Sequence, residues 1–170
     1  MTIPPPHPAV LDAEALARRL TVRFQRRGGP GGQHRNKVST GVFVTDAATG
    51  ITAEATESRS QRTNRVAAMR RWRIAAAVAL RTEPADAPVH QPVRERLAGT
   101  RLNLAVDNED YAAALALVLD DVASADGRVA EVADGWGVST GAVVRMVAKT
   151  PEALAWVNEV RRTAGHPKLR

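Results

Sequence analysis

The chain has 170 residues, 44% of them hydrophobic and 25% charged, enough for one domain or two small ones around an ordinary core. It has no cysteine, which excludes a disulfide scaffold, a thiol nucleophile and a Cys-based zinc site. The longest apolar run, Tyr111 to Leu119, is far shorter than the roughly 20 residues a membrane span needs. Met1 to Pro8 has neither a basic start nor an apolar run, so no secretory signal is read there and a cytoplasmic location is expected.

The net charge of +6 is unevenly placed. Residues 1–91 carry fourteen basic against seven acidic side chains, whereas residues 92–170 carry ten against eleven. A basic half suggests contact with a polyanion. All but Lys37, Lys149 and Lys168 of the basic residues are arginine, which pairs bidentately with phosphate and stacks on bases.

In chain order, the Pro-rich residues 1–10 read as a disordered arm. Asp12 to Leu20 reads as a short helix. Thr21 to Gln25 alternates Val22 and Phe24 with polar neighbours, as a half-buried strand does. Arg26 to Lys37 is a loop of glycine, proline and basic residues. Val38 to Thr45 and Ile51 to Ala55 read as strands joined at Ala47 to Gly50 in a hairpin. Ser58 and Gln61 have capping-box spacing, and a helix is expected from there to about Arg81, stopped by Pro84. Three prolines make residues 83–92 a linker. The remainder reads as all helical. Asn108 is placed to cap a helix to Ala123, followed by helices over Gly127 to Asp134, Ser139 to Ala148 and Pro151 to Ala164. Thr150 would cap the last, with Pro151 at its first position.

The loop runs Arg26-Arg27-Gly28-Gly29-Pro30-Gly31-Gly32-Gln33-His34-Arg35-Asn36-Lys37. Its glycines leave the backbone free to adopt positive φ and to approach a ligand closely. It does not match the common phosphate loops. Asn36 and Val38 flank Lys37 where a Walker A loop needs Gly and Ser/Thr, and a dinucleotide fingerprint begun at Gly29 ends on His34. The four histidines are scattered, and the loop holds no carboxylate. A side-chain nucleophile with its base is therefore not available there.

Gly31-Gly32-Gln33-His34, with Asn36-Lys37-Val38-Ser39-Thr40 behind it, resembles the GGQ motif of class I peptide chain release factors, and most closely their codon-independent ribosome-rescue branch. Thr49-Gly50-Ile51 sits at the family's hairpin turn. Arg59-Ser60-Gln61 with Asn64 is similar to its R-S-Q-x-x-N helix start. The resemblance covers about residues 11–82. It implies an α+β fold: a small GGQ domain in which a short sheet packs on a long basic helix, followed here by an all-α region, residues 93–170. It also implies an enzyme that hydrolyses the ester bond of peptidyl-tRNA on the ribosome without a cofactor or metal. Its partners would be peptidyl-tRNA and large-subunit rRNA at the peptidyl transferase centre, with a glutamine methyltransferase acting on Gln33 as a further candidate.

In that reading Gly31, Gly32 and Gln33 are the catalytic residues. The Gln33 backbone N–H would stabilise charge on either the oxyanion or the leaving ribose oxygen, while the side chain shapes the site. Arg26, Arg27, His34, Arg35 and Lys37 are candidate RNA contacts. Arg35 departs from the small apolar residue usual in the family at that place. Arg59, Arg62, Arg70, Arg73 and Arg81 fall within about 100° of one another on a helix and form a stripe free of acidic residues, read as an RNA-backbone contact.

With about ten residues ahead of the GGQ domain, codon-reading domains are not expected. The family's basic rescue tail is not matched by a C-terminal half of charge −1. Within that half, residues 128–148 resemble a helix-turn-helix, with Val132, Trp136, Val138, Val143 and Met146 as shared core. Thr140, Arg145 and Lys149 would be exposed as candidate contacts. A non-catalytic RNA-binding or helix-turn-helix regulatory protein is the alternative reading.

Overall fold

The structure is a computed structural model and describes residues 1–25 and 40–169. They form two compact units: Leu11–Ala75, and Met1–Val10 together with Ala76–Arg170. The division falls inside a helix, not at the expected linker.

In the first unit, helix α1 (Ala13–Arg19) starts at Asp12, whose carboxylate accepts from the Ala15 N–H at 2.7 Å; this is an ordinary N-cap. Strands β2 (Thr21–Gln25), β3 (Gly41–Thr45) and β4 (Thr52–Ala55) form an antiparallel meander in that order. Val22 faces Val44, and Val42 faces Ala55. These alternate residues share one face of the sheet, and Val42, Val44 and Ala55 are fully buried. Helix α2 (Gln61–Ala79) supplies Ala68 and the buried Trp72 to the same core. The Trp72 indole N–H donates to the Ile51 carbonyl at 3.1 Å, so the ring's polar atom is satisfied as it is buried.

The cap of α2 differs from the expected one. Ser60 is the cap: its hydroxyl accepts from Thr63 N–H and its carbonyl from Asn64 N–H, while the Ser58 hydroxyl accepts from Ser60 N–H. Nor does the helix reach Arg81. The chain leaves it so that β5 (Arg81–Thr82) can pair in parallel with β1 (Thr2–Ile3).

That pairing belongs to the second unit and corrects the disordered arm. Residues 1–10 hold a strand and a 3-10 turn, Pro8–Val10. His7 is buried, its N–H donating to His90 Nε2 at 2.9 Å. The prolines of 83–92 likewise do not make a loose linker. Ala85, Ala87 and His90 are buried. Helix α3 (Gln91–Ala98) begins at the second of two helical starts marked by proline, where the missing N–H costs nothing.

Helix α4 (Tyr111–Ser124) is the centre of this unit, with every residue from Tyr111 to Asp120 buried. An apolar surface all round a helix requires cover on every side, and the 3-10 turn Pro8–Val10, β5, α3, α5 (Val129–Gly135), α6 (Thr140–Ala148) and α7 (Pro151–Thr163) supply it. Asp110, not Asn108, precedes the first turn of α4; the Asn108 side chain accepts from Asp110 N–H. Ser139 caps α6 as expected. Thr150 precedes α7, but its hydroxyl bonds Tyr111 OH at 2.7 Å instead of capping. No helix among the described residues is long and apolar enough to cross a membrane.

Candidate nucleic-acid interface

Arg26, Arg27, Gly31, Gly32, Gln33, His34, Arg35 and Lys37 lie outside the described residues. What is described is the frame to which that segment is joined. Gln25 and Gly41, the last paired residues of β2 and β3, face each other in register. Gly41 is buried, and a Cβ there would lie 3.0 Å from the Gln25 carbonyl oxygen and 3.1 Å from Thr56 Cγ2. Thr40, one residue earlier, is held by Asn64 on α2, whose Nδ2 donates to the Thr40 carbonyl at 2.7 Å.

The hairpin at the other end of the sheet is tied separately. Asp46 accepts from Thr49 OH at 2.7 Å, from Ala48 N–H at 3.1 Å, and from both Nε and Nη2 of Arg19 at 2.9 and 2.8 Å. Burial works upward on this carboxyl, but these donors outweigh it and hold it below the usual carboxylate range.

The arginine stripe divides into two groups. Arg59 and Arg62 are exposed and Arg70 is half-buried; none has a carboxylate partner among the described residues, and neither has the exposed Arg65. Val66, 62% exposed, sits among them. Arg71 lies off the stripe and is committed to Glu57 at 2.6 Å and to the Glu54 carbonyl.

Arg73 and Arg81 do not belong to the exposed stripe. Arg73 turns back along the unit and donates to the Leu11 carbonyl at 2.7 Å; burial lowers its pKa, with Asp12 opposing. Arg81 lies beyond the end of α2. Its guanidinium donates to the Ala77 and Val78 carbonyls, faces Asp120 at 3.4 Å and stacks 4.3 Å over Trp156. Burial brings its pKa down to about 10. The helical period aligned these residues, but each has a carbonyl to saturate, and that takes it inward. Arg59 also precedes the helix, standing next to its cap.

In the second unit, α5 and α6 are consecutive helices packed on each other. Val132, Trp136, Val143 and Met146 are buried between the helices and their neighbours, and Gly137 takes φ +62° in the turn. The Trp136 indole N–H donates to Asp121 at 2.7 Å. Thr140, Arg145 and Lys149 are exposed. Lys149 spends a donor on the Leu104 carbonyl at 2.6 Å, so its ammonium anchors a loop.

The model of the RF-1 domain family matches residues 12–98, just over half of the chain. The chain belongs to the RF-1 domain family, that of the class I peptide chain release factors. The RF-1 match runs through residues 83–92, expected to be a linker, and ends with α3. Peptide chain release factor 1 of Latilactobacillus sakei subsp. sakei is 43% identical over 60 residues, 35% of this chain and 16% of that protein. Chloroplastic PrfB1 of Arabidopsis thaliana is 46% identical over 50 residues, 29% and 11% respectively. Peptide chain release factor 1 of Geobacter sulfurreducens is 37% identical over 82 residues, 48% and 21%. The RF-1 chain thus spans about a tenth to a fifth of the length of these curated relatives.

The sequence motif pointed to Asn64 but not to its task. Its partner Thr40 is 24 residues away, and no local pattern announces a bond over that separation.

Proposed function

We propose that this protein hydrolyses the ester linking peptide to tRNA on the ribosome, and does so without reading a codon. The observation that carries the reading is Gly31-Gly32-Gln33 inside a stretch matched by the RF-1 family. Named relatives are peptide chain release factors. The flank Asn36-Lys37-Val38-Ser39-Thr40, similar to that of the codon-independent branch, favours rescue of ribosomes over stop-codon reading.

The chemistry assigned to the segment is the placing of one water against the ester carbonyl carbon. Water adds, the bond from carbonyl carbon to ribose oxygen breaks, and that oxygen leaves with a proton. The Gln33 N–H donates to the oxygen on which charge grows, and loss of one such donor costs about 10²–10³ in rate. Gly31 and Gly32 serve backbone approach. Affinity comes from Arg59, Arg62, Arg65 and Arg70, whose guanidiniums are free of carboxylates among the described residues, with Arg26, Arg27, His34, Arg35 and Lys37 beside the motif. The ribosome, its large-subunit rRNA and peptidyl-tRNA are the partners, and Gln33 is the candidate substrate of a glutamine methyltransferase.

A second reading, nucleic-acid binding without catalysis, draws on the α5–α6 pair with Thr140 and Arg145 on its exposed side. A release assay on ribosomes carrying peptidyl-tRNA separates the two. The hydrolase reading expects release by the full chain, loss of release in Gly31→Ala, Gly32→Ala and Gln33→Pro, the last of which removes the N–H, and retained ribosome binding. Wild-type rates in the glycine variants would overturn it.

A further inference from the structure

Asn64 is 1% exposed, and its amide is fully used. Oδ1 accepts from the Ser58 N–H at 2.9 Å, and Nδ2 donates to the Ser58 carbonyl at 2.9 Å and to the Thr40 carbonyl at 2.7 Å. An amide has two N–H donors, and both are taken. The same partners leave no freedom in the amide's orientation, since a backbone N–H must meet the oxygen and two carbonyls must meet the nitrogen.

Three pieces of chain therefore meet on one side chain. Thr40 is where residues 26–39 rejoin the sheet. Ser58 opens the turn that caps α2. Asn64 itself stands in the first turns of α2 between the exposed Arg62 and Arg65 in sequence, yet points the opposite way, into the core. On the far side of the segment, Gln25 is held by its register with Gly41. The β-ladder thus holds Gln25 and Gly41 together, and Asn64 adds a tie on the residue before Gly41, Thr40, where the segment meets β3.

We propose that Asn64 is a positioning residue for the Gly-Gly-Gln segment, coupling the arginine-bearing start of α2 to the point where that segment rejoins the sheet. The proposal rests on the hydrolase reading above. It assigns Asn64 no contact with substrate. Its effect is on where the reacting groups stand once α2 has docked, and a displacement of about 1 Å in such an arrangement is worth about 10²-fold in rate.

Full-length Asn64→Asp tests it. The substitution keeps the shape and the acceptor for Ser58 N–H but turns both donors into acceptors, facing the Thr40 and Ser58 carbonyls. The measurements are maximal release rate, half-saturation and binding on ribosomes carrying peptidyl-tRNA, thermal melting, and the rate of tryptic cleavage after Arg35 and Lys37. The expected result is a maximal rate about 100-fold lower, half-saturation and binding within about twofold, and faster tryptic cleavage. Lowering the pH protonates the introduced carboxyl and restores one donor, so the ratio of variant to wild-type rate should recover in part. Asn64→Ser buries no charge and serves if Asn64→Asp does not fold. An active wild type with an equally fast, tightly binding variant overturns the positioning role. So does a variant in which rate, binding and melting fall together with no recovery at low pH. A wild type that binds ribosomes but releases nothing overturns the hydrolase reading, and this proposal with it.

Discussion

Arg81 and Asp120 form a buried ion pair: Nη1 stands 3.4 Å from Oδ1, and the two side chains are 13% and 0% exposed. The same carboxylate oxygen accepts from Thr82 N–H at 3.0 Å, so one acidic residue of α4 holds both residues of β5. Arg81 is thereby a structural residue of the helical unit, not a surface cation.

Removing Arg81 should destabilise the fold rather than weaken RNA binding. Taking one partner from a buried pair typically costs about 3–5 kcal/mol, and Arg81→Ala also exposes Trp156 by losing the stacked guanidinium. The loss should be smaller near pH 5 than at pH 8, because the abandoned Asp120 can then take up a proton. Chemical denaturation at the two pH values checks this.

Asp120 also predicts a pH dependence of the intact protein. Burial pushes its pKa from 3.8 up to about 6, although Thr82 and Arg81 pull it down. Between those values the folded chain holds a proton that the unfolded chain has released. The group therefore favours folding at low pH, and that contribution is lost as the pH rises through about 6. The full change is about 3 kcal/mol. In Asp120→Asn this part of the slope should vanish, read as denaturation midpoints from pH 4 to pH 7.5.

The exposed arginines should behave in the opposite way from Arg81. Replacing Arg62, Arg65 and Arg70 together with glutamine removes no ion pair seen among the described residues, so the melting temperature should stay close to wild type. Ribosome binding should weaken, and the slope of log affinity against log salt should fall by about 0.7–0.9 for each phosphate no longer neutralised. An unchanged slope would assign the three side chains to solvent.

Gly41→Ala should lower stability by about 1–3 kcal/mol, the usual cost of overpacking. The new methyl meets the Gln25 carbonyl, a backbone atom that cannot swing away, as well as Thr56 Cγ2. Equilibrium unfolding of the full chain measures it, and a neutral result would mean that the strand end gives way freely.

Ending the chain at Pro92 should leave residues 76–92 without a cooperative fold. The composition of the Pro-rich stretch suggested a dispensable boundary there. The residues that flank it are instead held by α4, since Thr82 and Arg81 bond Asp120, while Arg94, which donates to the Ala85 carbonyl and pairs with Asp121 at 2.7 Å, would be removed. Loss of amide-exchange protection over residues 76–92 in the shortened chain, against protection there in the full one, is the expected observation.

Much of the architecture was readable in local pattern. Strand Thr21–Gln25 has its expected bounds, because alternation of apolar and polar residues suits an extended chain, but the expected half-burial is not met: only Val22 is partly buried and Phe24 is 44% exposed. The cap at Ser139 and the helix pair beside it followed from residue types that act within three or four positions. The Gly-Gly-Gln motif was legible for the same reason, being contiguous.

Non-local bonds were not legible. Nothing in MTIPPPHPAV announces a strand, which exists because Arg81 and Thr82 offer a partner across the chain. Arg73 and Arg81 share a helical phase with Arg62 and Arg70, and phase records direction around an axis without recording whether a carbonyl or a carboxylate waits there. The period could therefore nominate five arginines, and packing separated those that face solvent from those that hold the fold. Asn64 makes the same point about the candidate site. Its type and spacing match a family motif, but its work depends on Thr40 being brought within 2.7 Å. Amino-acid order sets which groups can bond, while the closing of the sheet against α2 selects the pairs that do, because a buried amide or carbonyl left without a partner costs more than an ordinary bond returns.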